Sequence, residues 1–193
     1  DARKKYPFQL QNSHTGVQIL LPEETAIHSD YVLDRHSLLA TALERFVLDP
    51  KGIHGVSHWA RVRYHGLRIG RERGADLLLV ELFAFLHDSC RDDDYSDPHH
   101  GFRAADFAMT LNGSLFSIND VQLHQLTTAL EGHSKGAIHA DVTIQSCWDA
   151  DRLDLVRLNI PPHAKYLSSE ATLHIDRAWA LLKGRKQTLT MME

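Results

Sequence analysis

Three groups of ionisable residues fall at helix positions that should be buried, and together they could hold a metal ion. His58 stands near the start of one predicted helix, and His87 with Asp88 ends the most apolar one. Asp151 lies in the middle of a later apolar face. Imidazole and carboxylate groups bind divalent cations, which activate water for hydrolysis. The 14 histidines of the chain support the same interpretation.

Asp151 occupies one face of a predicted helix on which its neighbours are apolar. The apolar members of that face are Ile144, Cys147, Trp148, Leu155 and Leu158. The spacing directs the carboxylate at the core, where an unpaired charge costs several kcal/mol or more. Asp151 must therefore meet a cation, an arginine or strong donors, and a buried ion pair is the alternative to a metal. Asp149 points to the opposite side of the helix and is a weaker candidate.

His87 and Asp88 follow a segment that is apolar on nearly every side. Both side chains can reach inward, because the backbone unwinds at a helix end. A histidine at a helix C-terminus is also favoured by the helix dipole, so a structural role is the alternative. His54 and His65 are rivals of His58, and His65 lies two turns along the same helix face.

Helical spacing of apolar residues predicts an all-α protein. The predicted helices cover about 31–48, 57–73, 75–88, 97–111, 117–132, 141–159 and 169–182. Residues 1–29 contain Pro7, Gly16 and Pro22 and are predicted to form a short irregular arm. One helical domain is expected over residues 30–185, followed by a tail over 186–193.

Polar and glycine residues mark the expected helix ends. Ser57 and Asp97 are predicted N-caps, and Ser117 with Asp120 resembles a capping box. Gly74 and Gly184 are predicted stops. Five arginines of one helix scatter around it, which indicates a solvated surface. They are Arg61, Arg63, Arg68, Arg71 and Arg73.

Composition excludes several classes of protein. A chain of 193 residues with 43% hydrophobic and 24% charged residues fits one soluble globular domain. The net charge of -4 provides no positive field for nucleic acid. The longest apolar run, 77–86, contains Glu81 and is shorter than the roughly 20 residues that span a bilayer. Two cysteines without paired spacing, and no signal-peptide pattern, predict a cytoplasmic protein that acts away from membranes; homo-oligomerisation stays open.

The order of the candidate residues resembles the HD superfamily. The segment His58–Val62, HWARV, is similar to the "H, two residues, RV" opening of that family. The doublet His87-Asp88 matches its name, and Ala150–Leu153, ADRL, is similar to its closing element. The resemblance covers about residues 31–182 and implies an HD-type helical bundle. It also implies that His58, His87, Asp88 and Asp151 bind a divalent ion, and such a donor set suits Mn, Fe, Ni, Zn or Mg.

Two further segments resemble parts of binuclear members of that family. They are Asp97–Gly101, DPHHG, and Gly132–Ser134, GHS. The resemblance makes His100 and His133 candidates for a second metal, and the alternatives are phosphate contacts or surface positions. His133 shares a helix face with Leu126 and Leu130, whereas His124 lies on the opposite side.

The resemblance implies a metal-dependent phosphohydrolase that acts on a small phosphate ester or anhydride, with a nucleotide expected. Asp88 would orient the attacking water, while His133, Lys135 and Arg152 would contact substrate or protonate the leaving group. Two other classes stay open. One is an HD-type di-iron oxygenase, which requires His100 as well as His133 to bind metal. The other is a noncatalytic nucleotide-binding sensor domain.

Overall fold

The computed structural model describes residues 33–190, with side chains described through residue 183. Within that part of the chain there are eight α-helices and no strand, which confirms the all-α prediction. The predicted arm over 1–29 and the last residues of the predicted tail lie outside the described residues. The helices are α1 Arg35–Arg45, α2 Val56–Arg73, α3 Leu77–Leu86, α4 His100–Leu111, α5 Asp120–Gly132, α6 Val142–Leu153, α7 Ser169–Thr172 and α8 Ile175–Thr190.

Three central helices hold the bundle together. α2 packs along α6, and α3 packs against both of them. α4 and α5 form a pair, and α5 contacts both α3 and α6. The main core includes Trp59, Phe83 and Leu130, all almost completely buried. Burial of each such side chain contributes about 1.5–3 kcal/mol to the stability of the fold. That stability offsets the cost of burying polar groups among these helices.

Short 3-10 segments continue two of the helices and carry residues of interest. His133–Lys135 follows α5, and Asp154–Leu158 follows α6. A third 3-10 segment, Ala164–Tyr166, precedes α7. Among the described residues, no helix combines the length and the apolar character needed to cross a membrane.

Two helix starts differ from the predicted caps. Gly55 is the N-cap of α2, so Ser57 lies inside the helix. α4 begins at His100, three residues after Asp97. The carboxylate of Asp97 accepts a hydrogen bond from Arg103 instead, because this arginine of α4 reaches back over the first turn. An aspartate can either cap a helix or hold a loop, and the sequence does not show which.

The predicted capping box exists, but at other residues. Asn119 and Gln122 form it, two residues away from the predicted pair Ser117 and Asp120. Gln122 accepts from the Asn119 backbone while Asn119 accepts from the Gln122 backbone. Reciprocal capping favours a glutamine or glutamate at the third helical position, which Asp120 does not supply.

Three predicted helices have different ends in the structure. Of the predicted helix 31–48, α1 begins at Arg35 after its N-cap Asp34 and ends at Arg45, because the backbone is extended at Phe46; residues 31 and 32 lie outside the described residues. The predicted helix 141–159 divides into α6 and its 3-10 continuation, which ends at Asn159 in the left-handed region. The predicted helix 169–182 is interrupted at Leu173, and α8 continues past the predicted stop at Gly184 to Thr190. Gly74 ends α2 with a positive φ, as predicted.

Glu81 interrupts the most apolar helix and is buried between two arginines. Its carboxylate accepts from Arg35 Nε at 3.0 Å and from Arg63 Nε at 2.7 Å. The prediction of a solvated surface is therefore wrong for Arg63. It is also wrong for Arg61 and Arg73, which form ion pairs with buried aspartates. The acidic partners lie on other helices, so the pattern within α2 could not reveal them.

We expect Glu81→Ala to reduce the free energy of unfolding by about 3 kcal/mol, because it leaves two partly buried cations without their counterion. Urea denaturation of the two proteins measures this change. Glu44→Ala is the control, since Glu44 is exposed on α1 and its loss should cost within about 0.5 kcal/mol. Equal stabilities of the Glu81→Ala variant and the parent protein would contradict the assignment.

His65 should make the stability depend on pH. It is buried on α2, and neither ring nitrogen has a hydrogen-bond partner within the described part of the chain. Burial lowers its pKa to about 4. In the unfolded chain His65 binds a proton near pH 6.5, whereas in the folded protein it stays neutral down to about pH 4. The stability that depends on neutral His65 is therefore fully present above pH 6.5 and is lost as the pH falls toward 4.

Between pH 7 and pH 4, protonation of His65 should lower the free energy of unfolding by about 3 kcal/mol. His65→Leu should remove it, so the difference in unfolding free energy between parent and variant should shift by that amount between pH 7 and pH 4. Urea denaturation at several pH values gives the two curves. His36→Leu on the exposed face of α1 is the control. Parallel curves for parent and His65→Leu would disprove the effect.

Candidate metal centre

The structure brings together the four residues that the sequence predicts as metal ligands. His58 comes from α2, His87 and Asp88 from the turn that directly follows α3, and Asp151 from α6. His58 Nε2 lies 2.9 Å from His87 Nε2 and 3.4 Å from both Asp88 Oδ2 and Asp151 Oδ1. His87 Nε2 lies 3.5 Å and 3.8 Å from the same two oxygens. We call this set the first cluster.

Asp88 faces a second pair of histidines with its other oxygen. Asp88 Oδ1 lies 3.4 Å from His100 Nε2 and 3.8 Å from His133 Nε2. The two Nε2 atoms are 2.8 Å apart, and both rings are buried. Asp88, His100 and His133 form the second cluster, so one carboxylate belongs to both clusters.

The outer nitrogen of each of the four rings is held by an acceptor. His58 Nδ1 lies 2.7 Å from the carboxylate of Asp154. The Nδ1 atoms of the other three rings contact the main-chain carbonyls of Phe83, Asp97 and Leu130. Since carbonyl and ionised carboxylate oxygens only accept hydrogen bonds, each Nδ1 carries the proton. In the neutral rings, Nε2 therefore offers its lone pair to the clusters.

This arrangement requires positive charge inside each cluster. Two Nε2 lone pairs that face each other below 3 Å repel, and the carboxylates add negative charge. Burial lowers the pKa of His87 to about 3. Burial also lowers the pKa of His58, but its contacts with three carboxylates outweigh that and raise it to about 9. Donors of this kind fit a divalent cation, which all of them can bind at once.

Glycine next to His100 allows the second pair to meet. A Cβ on Gly101 would lie 2.4 Å from the carbonyl oxygen of Leu130. That same carbonyl accepts the Nδ1 proton of His133. Only glycine lets α4 approach the end of α5 this closely. Close helix packing therefore explains the glycine that follows His100 in the segment that resembles binuclear family members.

Asp154 orients His58 and was not among the residues predicted from the sequence. Asp154 is completely buried and accepts hydrogen bonds from His58 and from Arg61. Burial raises its pKa, but these two donors outweigh it and keep the pKa below the usual value. Asp154 follows Asp151 by three residues, as Arg61 follows His58. Because residues three apart lie on the same helix face, these two spacings in the sequence indicate that Asp154 and Arg61 lie near the ligands Asp151 and His58.

Lys135 and Arg152 contact aromatic side chains. Lys135 Nζ lies 4.5 Å from the centre of the Phe102 ring. The Arg152 guanidinium lies over the Trp148 ring and donates to the carbonyl of Tyr166. Within the described residues neither forms a hydrogen bond or ion pair with the two clusters. Their roles toward a substrate stay predictions.

The rival candidates lie outside the two clusters. His54 pairs with Asp94 at 2.8 Å, and its ring centre is 6.2 Å from that of His58. Asp149 accepts from Ser168 on the opposite side of α6. As expected from its direction on the helix, it does not contribute to either cluster.

Asp154→Asn should weaken metal binding to the first cluster about 10- to 100-fold, because a neutral amide supports the Nε2 lone pair of His58 less well. Competition between the metal-free protein and a fluorescent chelator for Zn²⁺ measures the affinity. Asp149→Asn is a matched control, since Asp149 is equally buried in the same region of the chain but outside both clusters. Equal affinities for Asp154→Asn and the parent protein would exclude the supporting role.

Comparison with known proteins agrees with this architecture. No protein-family model matches the sequence, and no curated protein is similar to it. The fold is similar to the crystal structure of a predicted HD superfamily hydrolase from an uncultured Thermotogales bacterium. The two share 19% sequence identity with a TM-score of 0.62, over 83% of this chain and 93% of the other. The chain therefore has the HD superfamily fold.

Proposed function

We propose that the protein is a metal-dependent phosphohydrolase acting on a small phosphate ester or anhydride, with a nucleotide as the expected substrate. The observation that carries this proposal is the convergence of four imidazole Nε2 atoms on the carboxylate of Asp88. The similarity in fold to a predicted HD superfamily hydrolase supports hydrolysis as the general reaction.

A divalent cation bound by the first cluster would supply Lewis acidity, lowering the pKa of a bound water from its high value in bulk water to about 7 and polarising a phosphoryl oxygen. Asp151 has a side chain that is 17% exposed, whereas those of His58, His87 and Asp88 are at most 4% exposed. Water and the phosphoryl group would therefore enter beside Asp151. Asp88, which touches both clusters, would accept a hydrogen bond from the attacking water and orient it.

Cationic side chains flank the two clusters along the chain. Arg152 follows Asp151 directly, and its Nη2 atom is buried without a hydrogen-bond partner in the described residues. Lys135 follows His133 by two residues in the same 3-10 segment. We expect both to contact the phosphate and to oppose the charge that develops during phosphoryl transfer. His133 would hold a second cation or contact the leaving group.

The proposal predicts different metal contents for three variants. Elemental analysis should show that Asp88→Ala and His87→Ala lose the metal of the first cluster, whereas His133→Ala keeps it. Release of phosphate or pyrophosphate, screened over nucleotides with Mn²⁺, Fe²⁺, Ni²⁺, Zn²⁺ and Mg²⁺, should fall by at least about 100-fold in Asp88→Ala and His87→Ala. His36→Ala at an exposed position serves as the control. Full metal content and activity in Asp88→Ala would refute the proposal.

The second cluster also favours another candidate, a di-iron oxygenase. This activity requires two irons per chain and therefore both His100 and His133 as ligands, and the structure places their Nε2 atoms together beside Asp88. Two irons per chain with substrate-dependent oxygen consumption would support it. Phosphate release without oxygen consumption would support the hydrolase.

A further inference from the structure

Arg91 places its guanidinium against the second cluster. It follows Asp88 by three residues, and its Nη1 atom lies 3.6 Å from Asp88 Oδ1. The same atom lies 3.3 Å from both ring nitrogens of His100. The side chain is only 11% exposed. Arg91 is therefore a largely buried cation beside a site that is itself suited to a cation.

The guanidinium of Arg91 lacks a good acceptor in the described structure. Nη1 of Arg91 is equally far from the two ring nitrogens of His100. In the plane of the ring that position would collide with Cε1, so Nη1 lies over the face of the ring. It therefore does not bond to the Nε2 lone pair. Nε of Arg91 is buried and has no hydrogen-bond partner among the described residues. The contact with Asp88 is longer than a normal hydrogen bond.

This position conflicts with a second metal ion. A divalent cation on the second cluster would share Asp88 and His100 with Arg91, and two cations this close repel strongly where water is excluded. The first cluster has no equivalent conflict, because the neighbouring Arg61 is already paired with Asp154. The two clusters therefore differ in how readily they accept a cation.

A tetrahedral oxyanion would remove the conflict. Guanidinium groups bind such anions through two parallel hydrogen bonds, and Arg91 has an Nε donor without an acceptor beside an Nη1 atom that contacts only the His100 ring face and, at 3.6 Å, Asp88. The anion would neutralise Arg91 and could offer an oxygen to the second cation. Each of the two ligands would thereby strengthen the binding of the other.

We propose that Arg91 makes cation binding at the second cluster dependent on an oxyanion such as the phosphoryl group of a substrate. Without the anion, Arg91 itself supplies positive charge at Asp88 Oδ1 and the second cation binds weakly. With the anion, cation and anion bind together. The inference rests on the proposed function, in which the second cluster is a metal site.

Calorimetric titration of the metal-free protein with Mn²⁺, with and without inorganic sulfate, tests this linkage. Sulfate is a tetrahedral oxyanion that the enzyme does not consume. The parent protein should bind one Mn²⁺ tightly and a second about 10-fold or more weakly, and sulfate should tighten the second by about 10-fold. In Arg91→Met the second Mn²⁺ should bind more tightly without sulfate, and sulfate should have no effect.

Two further variants complete the experiment. Arg71→Met at an exposed position of α2 should behave like the parent protein. Arg91→Lys keeps the charge but not the paired donors, so the second Mn²⁺ should stay weak while the sulfate effect falls. Circular dichroism checks that each variant is folded. If Arg91→Met does not fold, Arg91→Lys tests the proposal.

Three results would overturn the inference: no sulfate effect in the parent protein, parent-like titrations for Arg91→Met, or no second Mn²⁺ in either protein. The last result would still allow a hydrolase with one metal. Conversely, a protein that releases no phosphate from any substrate would refute the proposed function, while the measured linkage between Mn²⁺ and sulfate would stand.

Discussion

The centre of this protein depends on an unfavourable arrangement of lone pairs. Two pairs of imidazole nitrogens face each other at 2.9 Å and 2.8 Å, and one carboxylate lies between the pairs. The protons of all four rings are directed outward, to three main-chain carbonyls and to Asp154. The rings therefore cannot relieve the repulsion by changing tautomer without breaking those bonds. Positive charge between the Nε2 atoms is the remaining solution.

Other buried carboxylates of the chain are neutralised by the protein itself, which sets the centre apart. Glu81 has Arg35 and Arg63, and Asp154 has Arg61 together with a histidine. Asp149 is held by hydroxyl and amide donors. These pairs favour one arrangement of the helices, because an arrangement that separates the partners leaves a buried charge unpaired. At the two clusters, by contrast, the carboxylates meet imidazoles whose facing lone pairs also need positive charge, from a proton on one ring or from a bound metal ion.

Much of this centre could be predicted from the sequence, because three of the four predicted ligands carry a local signal, whereas only the resemblance to the HD superfamily ranked His58 above His54 and His65. Asp151 interrupts an apolar face, and His87 with Asp88 ends the most apolar helix. Residues that act through other helices carry no such signal. Arg91 looks like an ordinary loop residue until its distance to the second cluster is known, and the burial of Arg63 depends on an acidic residue in α3. The start of α4 was misplaced by three residues because an aspartate such as Asp97 can hold a loop as well as cap a helix.

X-ray diffraction from crystals grown with Mn²⁺, measured near the manganese absorption edge, tests most directly whether the facing imidazoles hold a metal ion. We expect an anomalous peak at bonding distance, about 2.0–2.3 Å, from Nε2 of His58 and of His87, with a carboxylate oxygen of Asp88 in the same coordination shell. An electron-density map without that peak, in which the two rings have turned apart or bond to other groups of the protein, would contradict the central claim.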